Sequence, residues 1–315
     1  MREAEQEDNL DFCLALAEKA HDYFWEPDNL AWLDLIEREH DSMRAALTWS
    51  LHRDRKTDAL QLVGALAPFW CVRGHLNEGR AWLERVIGMS DDISGITRAR
   101  ALYGLGAIAH MQADHSADAI AFSESVVRYR ELGEKSLLSP ALTGLGDALR
   151  ARGRINEASG RYQEGTVRAN QENFLTKALG LMGQGRIALV RGEGGQAEDF
   201  FGRTIDLASS WGEKHIHAWA RMNYARLALQ EGRFHAAKTA YQEAIGLGQK
   251  YSMRVVLARG LDELAITLAD LPAVETSARL FGSSANLKLE VGTSISIERR
   301  SIHDRAVAKV EEILG

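Results

Sequence analysis

The sequence has few of the features that mark secreted, membrane-spanning or disulfide-stabilised proteins. Its 315 residues include 4 prolines and 2 cysteines, and no apolar run reaches the about 18 residues that indicate a membrane span. Cys13 and Cys71 lack CxxC or histidine-rich spacing, so we expect buried thiols in a reducing compartment. The acidic N-terminus has no apolar signal core, which predicts a cytoplasmic protein that does not bind membranes.

Signatures of nucleotide binding, metal binding and catalysis are also missing. The sequence has no phosphate loop of the form Gly-x-x-x-x-Gly-Lys-Ser/Thr, no His-Glu-x-x-His and no Gly-x-Ser-x-Gly. His215 and His217 are two residues apart, so their rings would point to different sides of a helix, and we expect a solvated helix start there. The glycine cluster at 192–195 coincides with a repeated turn rather than a phosphate site. We therefore expect no cofactor, no metal and no enzymatic activity.

The charge distribution argues against direct binding to nucleic acid. The net charge is −6, and residues 1–50 carry 13 acidic against 4 basic side chains, whereas the remainder carries 31 against 34. Binding along phosphates requires a concentrated basic face. The sequence has neither such a face nor a helix-turn-helix stretch with a basic recognition helix.

One sequence pattern recurs six times along the chain. A turn residue is followed five positions later by a small residue that opens an apolar, often aromatic, stretch. The turn residues are separated by 40, 39, 39, 40 and 41 residues, and they are Gly74, Asp114, Gly153, Gly192, Gly232 and Ala273. A fixed period of this size indicates stacked supersecondary units. Because such an array grows along one axis, we expect one elongated unit rather than several globular domains.

Each unit divides into two helical segments. The first carries a small residue at one repeated position, namely Gly106, Gly146, Gly185, Ala225 and Ala265. The second has a small residue four positions before an aromatic one on the same face, as in Ala158 and Tyr162, Ala197 and Phe201, and Ala237 and Tyr241. Strand-type alternation is absent. The pattern resembles tetratricopeptide repeats lengthened from about 34 residues, and the resemblance implies an all-α, right-handed superhelical solenoid with repeats of about 40 residues.

The two ends of the chain differ from the repeats. We interpret residues 1–53 as an N-terminal helical capping segment, 54–292 as the repeat array and 293–315 as a C-terminal capping helix. Large aromatic side chains crowd the stretch from the N-terminal segment into the first repeat and predict a core layer rather than a ligand cage: Trp32, Trp49, Phe69, Trp70 and Trp82. We also expect helix caps at Asp28 and at Asp41 or Ser42, and inter-repeat positions for Pro140 and Pro272.

Three segments of the chain resemble one protein family. The stretches 32–49 and 69–85 are similar to the helical region that follows the nucleotide-binding module in bacterial predicted ATPases of the signal-transduction type, which include LuxR-type and antibiotic-regulatory transcription factors. Ser42 and Met43 depart from the family's usual asparagine and leucine, and 278–292 resembles its terminal repeat. The resemblance implies the sensor or docking arm of an ATP-dependent transcriptional regulator.

Tetratricopeptide arrays line a concave groove with one face of their first helices. The resemblance implies that this face lies three positions before, one after and four after the repeated small residue. The candidate ligand-binding residues, including two at the border of the groove, are Tyr103, His110, Asp147, Arg150, Met182, Arg186, Trp219, Met222, Asn223, Arg226 and Asp262. The guanidinium groups suit an extended acidic or carboxylate-bearing partner. Alternatively, the arginines neutralise Asp147, Asp262 and Glu263 across the groove.

Two functional hypotheses follow from the sequence. The first is a non-enzymatic module that binds a protein, a peptide or a small effector in the groove. The second is a structural scaffold that forms a homodimer or larger homo-oligomer through the aromatic N-terminal segment and has no groove ligand.

Overall fold

The computed structural model describes residues 2–24, 26, 29–168 and 174–314. These residues form sixteen helices and no strand, which confirms the all-α prediction. The helices are α1 (Arg2–Asp22), α2 (Asn29–Arg38), α3 (His40–His52), α4 (Lys56–Arg73), α5 (Leu76–Gly88), α6 (Ile96–Met111), α7 (Ala117–Glu131), α8 (Lys135–Ala151), α9 (Ile155–Arg168), α10 (Phe174–Arg191), α11 (Gly194–Trp211), α12 (Lys214–Gln230), α13 (Phe234–Lys250), α14 (Arg254–Ala269), α15 (Val274–Val291) and α16 (Ile297–Leu314). Within the described ranges, no helix combines the length and the apolar character that crossing a bilayer requires.

Helices α4 to α15 pair into six helical hairpins, and each hairpin corresponds to one repeat of the sequence. The turn between the two helices of a pair contains the predicted turn residue. Gly74, Gly153, Gly192 and Gly232 have φ angles of 83°, 75°, 74° and 71°, a left-handed conformation that glycine adopts without steric cost. The tetratricopeptide-like solenoid predicted from the spacing is therefore confirmed.

Several glycines of the first helices lie against aromatic rings. A methyl group on Gly146 would come within 2.7 Å of the Tyr162 ring, which lies in the same repeat. A methyl group on Gly183, in the next repeat, would come within 2.5 Å of the same Tyr162 ring. Phe122 makes equivalent close contacts with Gly106 and Gly144, and Phe201 makes one with Gly185 of its own repeat. In α7, α9 and α11, one aromatic residue thus fills the space that a missing side chain leaves.

The small residues of the second helices are equally enclosed, and this allows a test of the repeat register. Ala158, Ala197 and Ala237 are fully buried. Replacing any one with leucine is expected to overpack the repeat and lower the free energy of unfolding by about 1 to 3 kcal/mol, measured by urea denaturation. Ala285→Leu, at an exposed position of α15, is the control. Midpoints that match the wild type in all three buried variants would contradict the register.

The solenoid curls until its first and last repeats touch. Helix α14 packs against α4, and an Arg73 guanidinium nitrogen donates a hydrogen bond to the Tyr251 carbonyl at 3.2 Å. The Thr293 hydroxyl donates to the Met111 carbonyl at the end of α6. The expectation of an elongated array is therefore wrong, because the rotation from repeat to repeat closes the chain into a ring.

The N-terminal segment packs against the first repeat. Helices α1 and α3 contact α4, where Phe69 and Trp70 are buried. Cys13 and Cys71 are buried as expected, and burial, with Glu39 beside the first thiol, raises their pKa values to about 11 and about 12.

Two local predictions about helix caps and prolines are wrong. Helix α3 begins at His40, so Asp41 and Ser42 lie inside its first turn and do not cap it. Pro140 lies within α8 rather than between repeats. Asp28 is outside the described residues.

Candidate functional site

A cavity that is open to solvent lies at the centre of the ring. Its wall comes mainly from α6, α8, α10, α12 and α14, the first helices of five repeats, with the segment before α16 and its first turn at one edge. Ten of the eleven candidate residues line it: Tyr103, His110, Asp147, Arg150, Met182, Arg186, Trp219, Met222, Asn223 and Arg226. Apolar contacts from Leu179, Ile216 and Phe122 complete the wall.

One ion-pair cluster in the wall is centred on Asp147. An Arg186 guanidinium nitrogen lies 2.6 Å from both carboxylate oxygens, and the Tyr162 hydroxyl donates a hydrogen bond to one of them at 2.6 Å. Burial acts to raise the pKa of Asp147, but the attraction of Arg186, reinforced by His110 and Arg150, outweighs it and holds the pKa well below its usual range. The carboxylate is therefore ionised and fixed in place.

The first turn of α16 reaches into the same cluster. Arg150 donates hydrogen bonds to the Glu298 carboxylate at 2.7 and 2.8 Å. The predicted C-terminal capping helix thus supplies a charged side chain to the cavity, which the sequence pattern did not indicate because the contact spans 148 positions.

A second cluster is centred on Glu263, which is 4% exposed. Arg226 and Arg299 each donate to one of its oxygens at 2.9 Å, and the Tyr241 hydroxyl donates to the other at 3.3 Å. The neighbouring Asp262 lines a smaller recess beside the cavity.

Asp262, the eleventh candidate, is held by residues of the last two helices. Its carboxylate accepts hydrogen bonds from Lys288 at 2.5 Å and from the Ser284 hydroxyl at 3.1 Å, and His303 lies 3.4 Å away. The alternative that arginines neutralise the groove carboxylates therefore holds for Asp147 and Glu263, whereas lysine and histidine surround Asp262.

The tryptophan at the border of the groove is part of a hydrogen-bonded chain. The indole nitrogen of Trp219 donates to His215 Nε2 at 3.1 Å, and the Trp219 carbonyl accepts from the Asn223 amide at 2.8 Å. Burial lowers the pKa of His215 to about 4, so its ring is neutral near pH 7. The expectation of a solvated position is wrong for His215, which is half-buried in the cavity wall and accepts a hydrogen bond from Trp219.

Arg259 is a cavity residue that the sequence reasoning missed. Its guanidinium carbon lies 5.5 Å from the centre of the Trp219 ring, and one of its nitrogens donates to the Met111 carbonyl at 2.8 Å. Arg259 precedes Ala265 by six positions, as Trp219 precedes Ala225. The same offset from the repeated small residue that selected Trp219 would therefore also have selected Arg259.

Two histidines converge on a buried carboxylate at the edge of the cavity. His110 Nδ1 and His115 Nδ1 each lie 3.0 Å from the same oxygen of Asp118, which is fully buried. This arrangement fixes the position of His110 in the wall.

Comparisons with known proteins connect the chain with regulators. No family model matches it. A segment of 120 residues is 34% identical to a protein of Mycobacterium tuberculosis that is named as a helix-turn-helix-type transcriptional regulator, and the match covers 35% of this chain and 13% of that protein. The chain therefore spans only a small part of the length of this relative.

Solved structures of tetratricopeptide type share the fold at low identity. A Rap protein complexed with competence and sporulation factor superposes with a TM-score of 0.60 at 11% identity and covers 99% of both chains. A signal-transduction ATPase with a tetratricopeptide-repeat sensor from Pyrococcus horikoshii gives a TM-score of 0.54 at 11% identity and covers 86% of this chain and 42% of that one. Identity at this level shows a common fold.

Proposed function

Because the chain is a tetratricopeptide-like solenoid that resembles the repeat regions of bacterial signal-transduction regulators, we propose that it is a sensor or docking module of such a regulator. It binds a peptide, a protein segment or a small effector in the central cavity. ATP hydrolysis and DNA binding belong to other modules of the regulator. The observation that carries the proposal is the cavity itself, where residues of five repeats converge.

The properties of the cavity suit binding. Its wall combines apolar side chains with a few fixed polar groups, as the walls of ligand pockets do. The ion pairs of Asp147 and Glu263 hold those polar groups in position before a ligand enters. A preformed site lowers the entropy cost of binding.

The same contacts support a non-enzymatic role. Asp147 is ionised and paired with Arg186, so it is a weak proton acceptor. His215, with a pKa of about 4, accepts a hydrogen bond from Trp219 and does not exchange protons near pH 7. General acid–base catalysis works best with groups whose pKa lies near the operating pH.

Ligand retention by the purified protein tests the proposal. The protein is incubated with a filtered extract of peptides and small molecules from bacterial cells, and retained compounds are identified by native mass spectrometry. We expect at least one retained compound and no retained ATP. Trp219→Ala should weaken binding of that compound by about tenfold or more, because it removes an aromatic wall.

Trp82→Ala is the matched control, since Trp82 is also half-buried and also lies beside a guanidinium, that of Arg85, at 5.8 Å, but it lies outside the cavity wall. Retention that is equal in both variants would remove the cavity from the mechanism. Failure to retain any compound, together with a stable homodimer in light scattering, would favour the scaffold hypothesis.

A further inference from the structure

The arginines around the cavity differ in whether they have a carboxylate partner. Three of them are paired within 3 Å, namely Arg150 with Glu298 at 2.7 Å, Arg186 with Asp147 at 2.6 Å and Arg226 with Glu263 at 2.9 Å. Arg259 makes no ion pair with any described carboxylate. Among the described residues it is the cavity arginine without a salt-bridge partner, and the carboxylates of Glu263 and Asp262 attract it only from farther away.

The surroundings of Arg259 hold its guanidinium group in one orientation. One nitrogen, Nη2, donates to the Met111 carbonyl, and the group lies over Trp219. Met111 is the last residue of α6, where the helix dipole contributes a partial negative charge. The other nitrogens, Nε and Nη1, make no hydrogen bond to the described residues, and the side chain lines the cavity.

Burial makes this arrangement costly without a ligand. It lowers the pKa of Arg259 to about 10, with repulsion from Arg226 as the second cause, yet the group stays protonated at neutral pH. A buried charge is stabilised when an ion of opposite sign reaches it. Nη2 carries two N–H bonds, and the Met111 carbonyl accepts from this nitrogen. The second N–H of Nη2 and the parallel N–H of its free neighbour form a planar fork that fits the two oxygens of a carboxylate.

We propose that Arg259 binds a carboxylate of the effector, while Trp219 packs against an apolar or aromatic group next to that carboxylate. This inference rests on the proposed function of the cavity and adds the chemistry of its ligand. A peptide with a free C-terminus and a small aromatic acid both provide this combination of groups.

The net charge of the cavity and its side recess also supports an anionic ligand. The cavity and its side recess contain six basic side chains, Arg150, Arg186, Arg226, Arg259, Arg299 and Lys288. They contain four carboxylates, Asp147, Asp262, Glu263 and Glu298, so two positive charges remain. An anionic ligand is therefore favoured over a neutral or cationic one.

Calorimetry with paired probes tests the inference. The small-acid arm compares 2-naphthoate with 2-naphthamide, and the peptide arm compares the tripeptide glycyl-leucyl-phenylalanine with its C-terminal amide. In at least one arm, wild type should bind the acid about tenfold or more tightly than the amide, since a hydrogen-bonded charge pair accounts for about 10- to 100-fold in affinity. The arm in which this occurs identifies the source of the carboxylate.

Arg259→Gln should abolish the preference for the acid, whereas Arg254→Gln should keep it. Arg254 is the matched control because it lies on the same helix but outside the cavity, where it pairs with Glu290. Should Arg259→Gln fail to fold, the acid-to-amide ratio of the wild type and its decrease in 0.5 M salt still decide the question.

Equal affinities for acid and amide in the wild type would overturn the carboxylate assignment and leave the cavity as a binding site. Absence of binding in both arms, while a compound from the cell extract is retained, would likewise reject the carboxylate and keep the proposed function. Binding of the acid that is unchanged in Arg259→Gln would place the anion elsewhere.

Discussion

Replacing Glu263 with alanine is expected to lower the free energy of unfolding by about 3 to 5 kcal/mol, because it leaves buried cations without their partner. The Arg226 and Arg299 side chains, 23% and 11% exposed, would both lose the carboxylate. Glu275→Ala is the control, since that side chain is 79% exposed on α15. A loss below about 1 kcal/mol in urea denaturation would show that water or a rearranged side chain replaces the carboxylate.

The same residue predicts a dependence of stability on pH. Burial acts to raise the pKa of Glu263, but Arg299 and Arg226 outweigh it and lower the pKa from 4.5 to about 2. The unfolded state therefore binds the proton more readily than the folded state. The contribution of Glu263 is complete above pH 4.5 and is lost as the pH falls towards about 2. In Glu263→Ala this part of the acid sensitivity should disappear.

Replacing Phe201 with alanine should lower the free energy of unfolding by about 3 to 5 kcal/mol, the usual range for removing a buried phenylalanine. The ring is fully buried, and a methyl group on Gly185 would come within 2.5 Å of it. The cavity left behind cannot collapse easily, since the adjoining helix offers a glycine there instead of a movable side chain.

The neighbouring Phe200 provides a control of identical chemistry. It is only partly buried and lies beside Arg203, with the guanidinium carbon 5.9 Å from the ring centre. Phe200→Ala should therefore cost distinctly less than Phe201→Ala in the same denaturation measurement. Similar losses for the two variants would mean that the packing between repeats tolerates an empty position.

The repeat architecture could be predicted from the sequence because its causes are local. Gly153 marks a turn since the backbone there has positive φ, and Ala158 with Tyr162 marks one face of a helix. Each signal acts within a few residues and recurs at a fixed period. Ring closure could not be predicted in this way, because it results from small rotations accumulated over six repeats.

Some residues of the candidate site could likewise be predicted from local sequence patterns, and others could not. Arg186 and Arg226 follow from the register within their own helices, and the structure places both in the cavity wall. Glu298, which pairs with Arg150, lies 148 positions away and belongs to no repeat. Its position depends on how α16 packs across the ring, and no local sequence pattern predicts that packing.

Closure of the ring also restricts how the length of such a protein can change. In an open solenoid each repeat touches only its neighbours, so a repeat can be gained or lost at little cost. Here α4 meets α14, and Thr293 bonds with the end of α6. One repeat more or fewer would displace these contacts by a whole helical hairpin. The number of repeats is therefore fixed by the circumference, and diversification of this architecture is confined to substitutions within repeats.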